Sequence, residues 1–188
     1  MDNLKSNPLI EQSWKQFASS NGGELTFSPA GRICLDNTVT IQTPHVIINL
    51  VWGDKPERGR GVYVNLQSVF KFRLLDKMAN LSVYPKDFIS SIANLFNSSL
   101  QKSESASVNS KYIILSSRKG LMSLIEPDLA SLITENPFPS FFIKTVLEDN
   151  QAFLIIQVND IVVEKKHLEY FYALGKSLCS KVGACLIR

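Results

Sequence analysis

The sequence predicts an α+β fold, a two-layer sandwich of a mainly antiparallel twisted sheet covered by amphipathic helices. Three observations carry this. Val69, Lys71 and Arg73 alternate with Phe70, Phe72 and Leu74; a period of two buries one strand face and wets the other, as in an antiparallel sheet with one solvated side. The opening and closing segments place apolar residues at steps of three and four, so each is a helix that must pack its apolar face on another layer. Between them, short β-rich runs are split by turn compositions such as Pro29-Ala30-Gly31 and Asp36-Asn37. Both halves carry strands followed by an amphipathic helix, so the pattern also fits a pseudo-duplicated fold, although no residue-level repeat is visible.

The first helix carries Ile10, Trp14, Phe17 and Ala18 on one face, with Asn7 as cap, Pro8 at the first helical position and Asn21-Gly22-Gly23 as terminator. Strands are expected at Glu24 to Ser28, Arg32 to Leu35 and Val39 to Gln42, and, after Pro44, at His45 to Trp52. The glycine-rich stretch 53–61 reads as a loop, followed by strands at Val62 to Leu66 and Val69 to Leu75. Pro85 opens a helix lined by Phe88, Ile92, Leu95, Phe96 and Leu100. The serine-rich stretch 98–110 has the composition of a mobile loop or internal linker within one domain spanning 1–188.

Beyond it, Lys111 to Ser116 reads as a strand and Ser117 as the cap of a short helix with Leu121, Leu124 and Ile125. Pro127 interrupts that helix and restarts one carrying Leu129, Leu132 and Ile133. Phe141 to Leu147 and Ala152 to Val158 form a hairpin about Glu148-Asp149-Asn150-Gln151, and Leu168, Phe171, Tyr172, Gly175, Leu178 and Val182 line the last helix.

At 188 residues, 45% hydrophobic and 20% charged, the chain has enough apolar mass for a buried core. Its net charge of +3 lacks the clustered excess of a nucleic-acid binder. The alternation at 70–73 also sets the phenylalanines and the cations on opposite faces, whereas a base-stacking surface needs them together. Three scattered cysteines, Cys34, Cys179 and Cys185, form no disulfide framework and suit a reducing compartment. The N-terminal stretch lacks the apolar run of a secretory leader, and no apolar run approaches the roughly 20 residues of a membrane-spanning helix. A cytoplasmic protein without a transmembrane segment is expected.

Chemistry-bearing motifs are sparse. The loop GDKPERGRG offers Arg58 and Arg60 but lacks the Gly-Lys-Ser/Thr ending of a phosphate loop. With Lys71 and Arg73 on one strand face, these arginines define a candidate anion-binding patch. Asp54 and Glu57 are close in sequence but share the loop with arginines that neutralise them. His45 has no serine or cysteine beside it in any nucleophile motif, and His167 lies in the polar start of the last helix. No spacing of ligands suits a metal, and no cofactor motif is present. Phe138, Phe141 and Phe142, after two prolines, are candidates for lining an apolar cleft.

These features point away from an enzyme and toward a non-catalytic protein-binding or scaffold module, whose partner is another protein or a second copy of itself. The alternative is a small-molecule or anion-binding protein, using a cleft between sheet and helices or the 53–61 loop. No stretch carries a specific motif of a named family.

Overall fold

In the computed structural model, residues 8–28, 36–56, 62–74, 80–86, 100–101, 106–116, 120–135, 138 and 141–182 are described. They form an α+β fold of nine strands and four helices. In chain order these are α1 (Pro8–Ser20), β1 (Glu24–Ser28), β2 (Asp36–Gln42), β3 (Val46–Pro56), β4 (Val62–Arg73), β5 (Leu81–Pro85) and β6 (Leu100–Gln101). Then follow α2 (Ala106–Lys111), β7 (Tyr112–Ser116), α3 (Leu121–Glu135), β8 (Phe141–Glu148), β9 (Gln151–Val158) and α4 (Lys165–Val182). Two compact units emerge, one of Met1–Phe70 with Val158–Tyr172, the other of Lys71–Gln157 with Ala173–Arg188.

In the first unit the strand order is β1-β2-β3-β4. Register sets Leu25 opposite Ile41 and Phe27 opposite Val39, then Ile41 opposite Ile48 and Val39 opposite Leu50. Val39, Ile41, Ile48, Leu50 and Trp52 are buried on that face, as the alternation demands. Ile10, Trp14, Phe17 and Ala18 of α1 are buried, and α1 packs on β1 and β2. The start of α4 lies on the same layer: Phe171 meets Phe70 with ring centroids 5.2 Å apart, and Tyr172 meets Phe17 edge-on at 5.7 Å.

The helix terminator works through backbone hydrogen bonds. Gly23 N–H donates to Ala18 O (2.8 Å) and Gly22 N–H to Ser19 O (3.3 Å), the paired closure that occupies the last helical carbonyls. Gly22 has φ +64, where an L side chain is strained. Space around it is open, so Gly22→Ala is expected to cost about 1 kcal/mol from backbone strain alone, read as a lower urea midpoint with unchanged slope.

The strand connections are held by side chains. At the β2–β3 turn, buried Thr43 accepts from Val46 N–H through Oγ1 (3.1 Å), while its own N–H donates to Val46 O (2.9 Å). Ahead of α4, Ser68 Oγ donates to Asp160 O and accepts from Val162 N–H, both at 2.8 Å. Trp14 Nε1 donates to Val162 O at 3.2 Å. Both polar groups of the Val162 peptide are thereby satisfied away from any strand ladder.

In the second unit the order is β9-β8-β5-β7-β6, with the end of β4 beside β9, where Leu74 N–H donates to Ala152 O (2.9 Å). Val83 of β5 faces Ile143 of β8 and Ile114 of β7. Phe72, Leu81, Val83, Ile114, Phe141, Ile143, Leu154 and Ile156 are buried. The β8–β9 turn has Asp149 at φ 48 and Asn150 at φ 62, a two-residue hairpin turn whose positive φ values suit Asn and Asp and match the strand twist. Gly175 sits in α4 against the Phe72 ring; a Cβ there would lie 2.0 Å from its Cζ.

Tyr112 stacks on Phe141 at 4.7 Å and is buried, and desolvation pushes its phenol up to about 12. Its folded pKa is raised, so the stability tied to the neutral phenol is complete below the ordinary value of 10.0 and is lost as pH rises through about 12. Ultraviolet titration should show Tyr112 ionising late and together with unfolding; Tyr112→Phe should remove that step.

Several sequence expectations give way. The loop expected at 53–61 starts later: β3 runs on through Gly53 to Pro56, with Gly53 paired to Asp36. The two strands expected between 62 and 75 are one, because β4 passes unbroken through Gln67 and Ser68. Pro85 is the last residue of strand β5, opposite Tyr112, and not the first position of a helix, since Leu81 and Val83 already alternate with Ser82 and Tyr84 as a paired strand. Leu100 belongs to β6, opposite Leu115, so it does not continue a helical face. Within 98–110 the described residues form β6 and α2, with Val108 buried.

Pro127 does not divide α3, which is continuous from Leu121 to Glu135. Leu121, Ile125 and Leu129 are buried at steps of four on either side of the proline, which is itself exposed. Asp128 is clasped to α4, accepting from Ser177 Oγ (3.0 Å) and Lys181 Nζ (2.8 Å). Packing and this clasp outweigh the lost hydrogen bond. The strand expected at 32–35 and the helical face Phe88 to Phe96 lie outside the described residues.

Candidate interaction surface

Among the described residues the strand order of the first unit ends at β1. A terminal strand presents one row of backbone donors and acceptors beyond its sheet. Natural edges are commonly blunted by lysine, proline or a bulge. β1, Glu-Leu-Thr-Phe-Ser, has none of these within it, and its one charge is Glu24 at the end. Its five residues pair in unbroken register with β2.

The two faces of this edge differ. On the helix side, Phe27 lies 5.9 Å from the Trp52 ring, and Trp52 lies 6.3 Å from Trp14. Both tryptophans are buried, whereas Phe27 is 40% exposed. An aromatic row thus runs from the core to the sheet edge. On the other side, Thr26 Oγ1 donates to Thr40 O (3.4 Å) and Thr40 Oγ1 donates to Asn49 Oδ1 (3.0 Å). That face is polar at the edge, with Glu24 its one charge on β1.

The anion-patch residues are only partly brought together. Arg58 and Arg60 lie outside the described residues. Lys71 and Arg73 share one face of β4, two residues apart. Lys71 Nζ sits 4.2 Å from the centroid of the Phe153 ring and forms an ion pair with Glu148. That carboxylate neutralises much of what Lys71 would offer an anion. A cation, Lys71, and an aromatic ring do meet on this face, which β4 alone does not foretell, since Phe153 comes from β9.

The three phenylalanines of the expected cleft are not on one surface. Phe141 is buried and stacks on Tyr112, whereas Phe142 meets Tyr84 at 6.2 Å. Tyr112 and Tyr84 belong to opposite faces of the β5–β7 pair, because Val83 faces Ile114 and Tyr84 faces Ile113. Phe138 is half-buried.

Other candidates have plain structural settings. His45 is in the β2–β3 turn, its N–H donating to Thr43 Oγ1 (3.4 Å). His167 is in the first turn of α4, its N–H donating to Glu164 O (3.0 Å). Glu164 is exposed, and the Lys166 hydrogen bond holds its carboxyl below the usual range. Cys179 is buried in α4; Cys34, Cys185 and Glu57 lie outside the described residues, as does the side chain of Asp54.

Asp128, Ser177 and Lys181 form a cluster the sequence did not mark. Ser177 Oγ donates to the Asp128 carboxylate and Lys181 is ion-paired there, so the cluster ties α3 to α4. Its one sequence signal is the i, i+4 spacing of Ser177 and Lys181. Among the described residues no group of three His, Cys, Asp or Glu side chains could hold a metal, and no helix is long and apolar enough to cross a membrane. Comparison with protein-family models, curated proteins and solved structures finds no match.

Proposed function

We propose that this protein is a non-catalytic protein-binding or scaffold module that engages its partner through the β1 edge. The terminal position of β1, with Phe27 exposed beside the buried Trp52, carries the reading. An added strand would take up the outer backbone groups of β1, and a neighbouring apolar side chain would cover the Phe27 ring. Phe27→Lys places a charge at that point and gives up the Phe27–Trp52 contact, so an unchanged circular dichroism spectrum is the control that the fold is kept. Affinity capture with wild-type and Phe27→Lys baits, read by mass spectrometry, should recover partners on the first that are lost on the second. The same partners on both baits would contradict the edge as the binding site.

An anion-binding reading rests on Lys71 and Arg73 sharing a face. It has weaker support, because Lys71 is engaged by Glu148. Its signature would be binding that weakens as salt is raised.

A further inference from the structure

We infer that the occupant of the β1 edge is the β1 strand of a second copy, paired antiparallel about a two-fold axis through Thr26. This deepens the edge reading proposed above and rests on it. The first support is register. A two-fold perpendicular to the sheet keeps helix-side residues on the helix side, so facing residues must have the same parity in β1. Of the registers that satisfy this, only the one centred on Thr26 pairs all five residues of Glu24–Ser28. It sets Leu25 across from Phe27 of the second copy twice, covering the ring that is 40% exposed in one chain. Thr26 meets its own symmetry mate, a favourable cross-strand pair. Glu24 faces Ser28, so the two carboxylates are kept apart.

The second support comes from α1. This helix packs on β1 and β2, and strands are spaced by about 4.8 Å. A helix lying over the β1–β2 gap is then one spacing from the axis, and the two α1 helices lie about 10 Å apart, the separation at which helices pack. Lys165 Nζ reaches Ser20 Oγ at 3.4 Å, and Tyr172 meets Phe17, so α4 occupies the Ser20 flank of α1. Glu11 and Lys15 lie on the opposite flank, joined to each other at 2.7 Å and both exposed. Two antiparallel α1 helices bring Glu11 of each toward Lys15 of the other. The same surface is therefore complementary to itself in backbone pairing, apolar cover and charge.

The test is sedimentation velocity of the wild-type chain and of Thr26→Lys over a range of concentrations. The lysines would meet at the axis, and the pair should weaken by roughly a hundredfold, with the circular dichroism spectrum unchanged. Thr26→Cys in a Cys34→Ser, Cys185→Ser background supplies the second readout: a short bismaleimide should link two chains at position 26. A wild-type chain that stays monomeric at every concentration overturns the inference, as does a dimer that persists in Thr26→Lys. If a monomeric wild type still loses its captured partners on Phe27→Lys, the second copy is wrong and the edge reading stands. If those partners are also indifferent to Phe27→Lys, both fall.

Discussion

Gly175→Ala should destabilise the protein by about 2–3 kcal/mol, despite alanine being the better helix former. In an exposed helix interior this substitution gains about 1 kcal/mol. Here the new methyl would lie 2.0 and 2.1 Å from Cζ and Cε2 of Phe72, which is fully buried. Forcing extra volume into a packed core costs about 1–3 kcal/mol, occasionally more, and a ring enclosed on all sides takes the upper end. Urea unfolding of Gly175→Ala, Phe72→Leu and the double variant checks the cause. Shortening the ring gives the methyl room, so the double variant should be more stable than the sum of the two singles predicts. Strict additivity would mean that the loss arises elsewhere in α4.

Ser68→Ala should cost about 2–3 kcal/mol, far more than one exposed hydroxyl contributes. Ser68 is fully buried, and its hydroxyl serves two backbone groups, Asp160 O and Val162 N–H. Removing it leaves a buried donor and an acceptor unmatched, and each such group costs about 1–3 kcal/mol when no water replaces the partner. Ser68→Cys, of similar shape but with a weak donor, should recover only part of the loss. Hydrogen exchange at Val162 is the direct reporter: it should accelerate in Ser68→Ala more than amides of β2 do.

The sequence discloses this fold best where periodicity is long and local. The α1 face, the alternation of Phe70, Phe72 and Leu74, and the apolar row of α4 depend on spacing alone, and all are buried as expected except Tyr172, which is half-buried. So does the β8–β9 hairpin, whose Asp149-Asn150 turn adopts positive φ. Legibility fails where distant partners override local signals. Pro127 is a helix breaker by its own chemistry, yet Leu121, Ile125 and Leu129 share one buried face and Asp128 is fastened to Ser177 and Lys181 of α4. Strand β5 is short and ends in Pro85, which reads as a first helical position until Tyr112 is found opposite it and Ile114 and Ile143 flank Val83.

The candidate surface was less legible still. Leu25 and Phe27 alternate with polar neighbours, which marks a half-buried strand. Nothing local says that this strand is the last of its row among the described residues. The edge is a property of sheet order, and the exposure of Phe27 follows from it. The Lys71–Glu148–Phe153 group is similar, since β4, β8 and β9 each supply one member. Only the separation of Phe141 from Phe142 was available in advance, because adjacent strand residues point to opposite faces.

The most direct test of the central claim is hydrogen exchange at the amides of Leu25, Thr26, Phe27 and Ser28 as protein concentration is raised. If the β1 edge pairs with a second copy, the amides on its outer side become more protected with concentration while those of the interior strand β3 stay constant. Exchange at β1 that is independent of concentration would contradict that pairing.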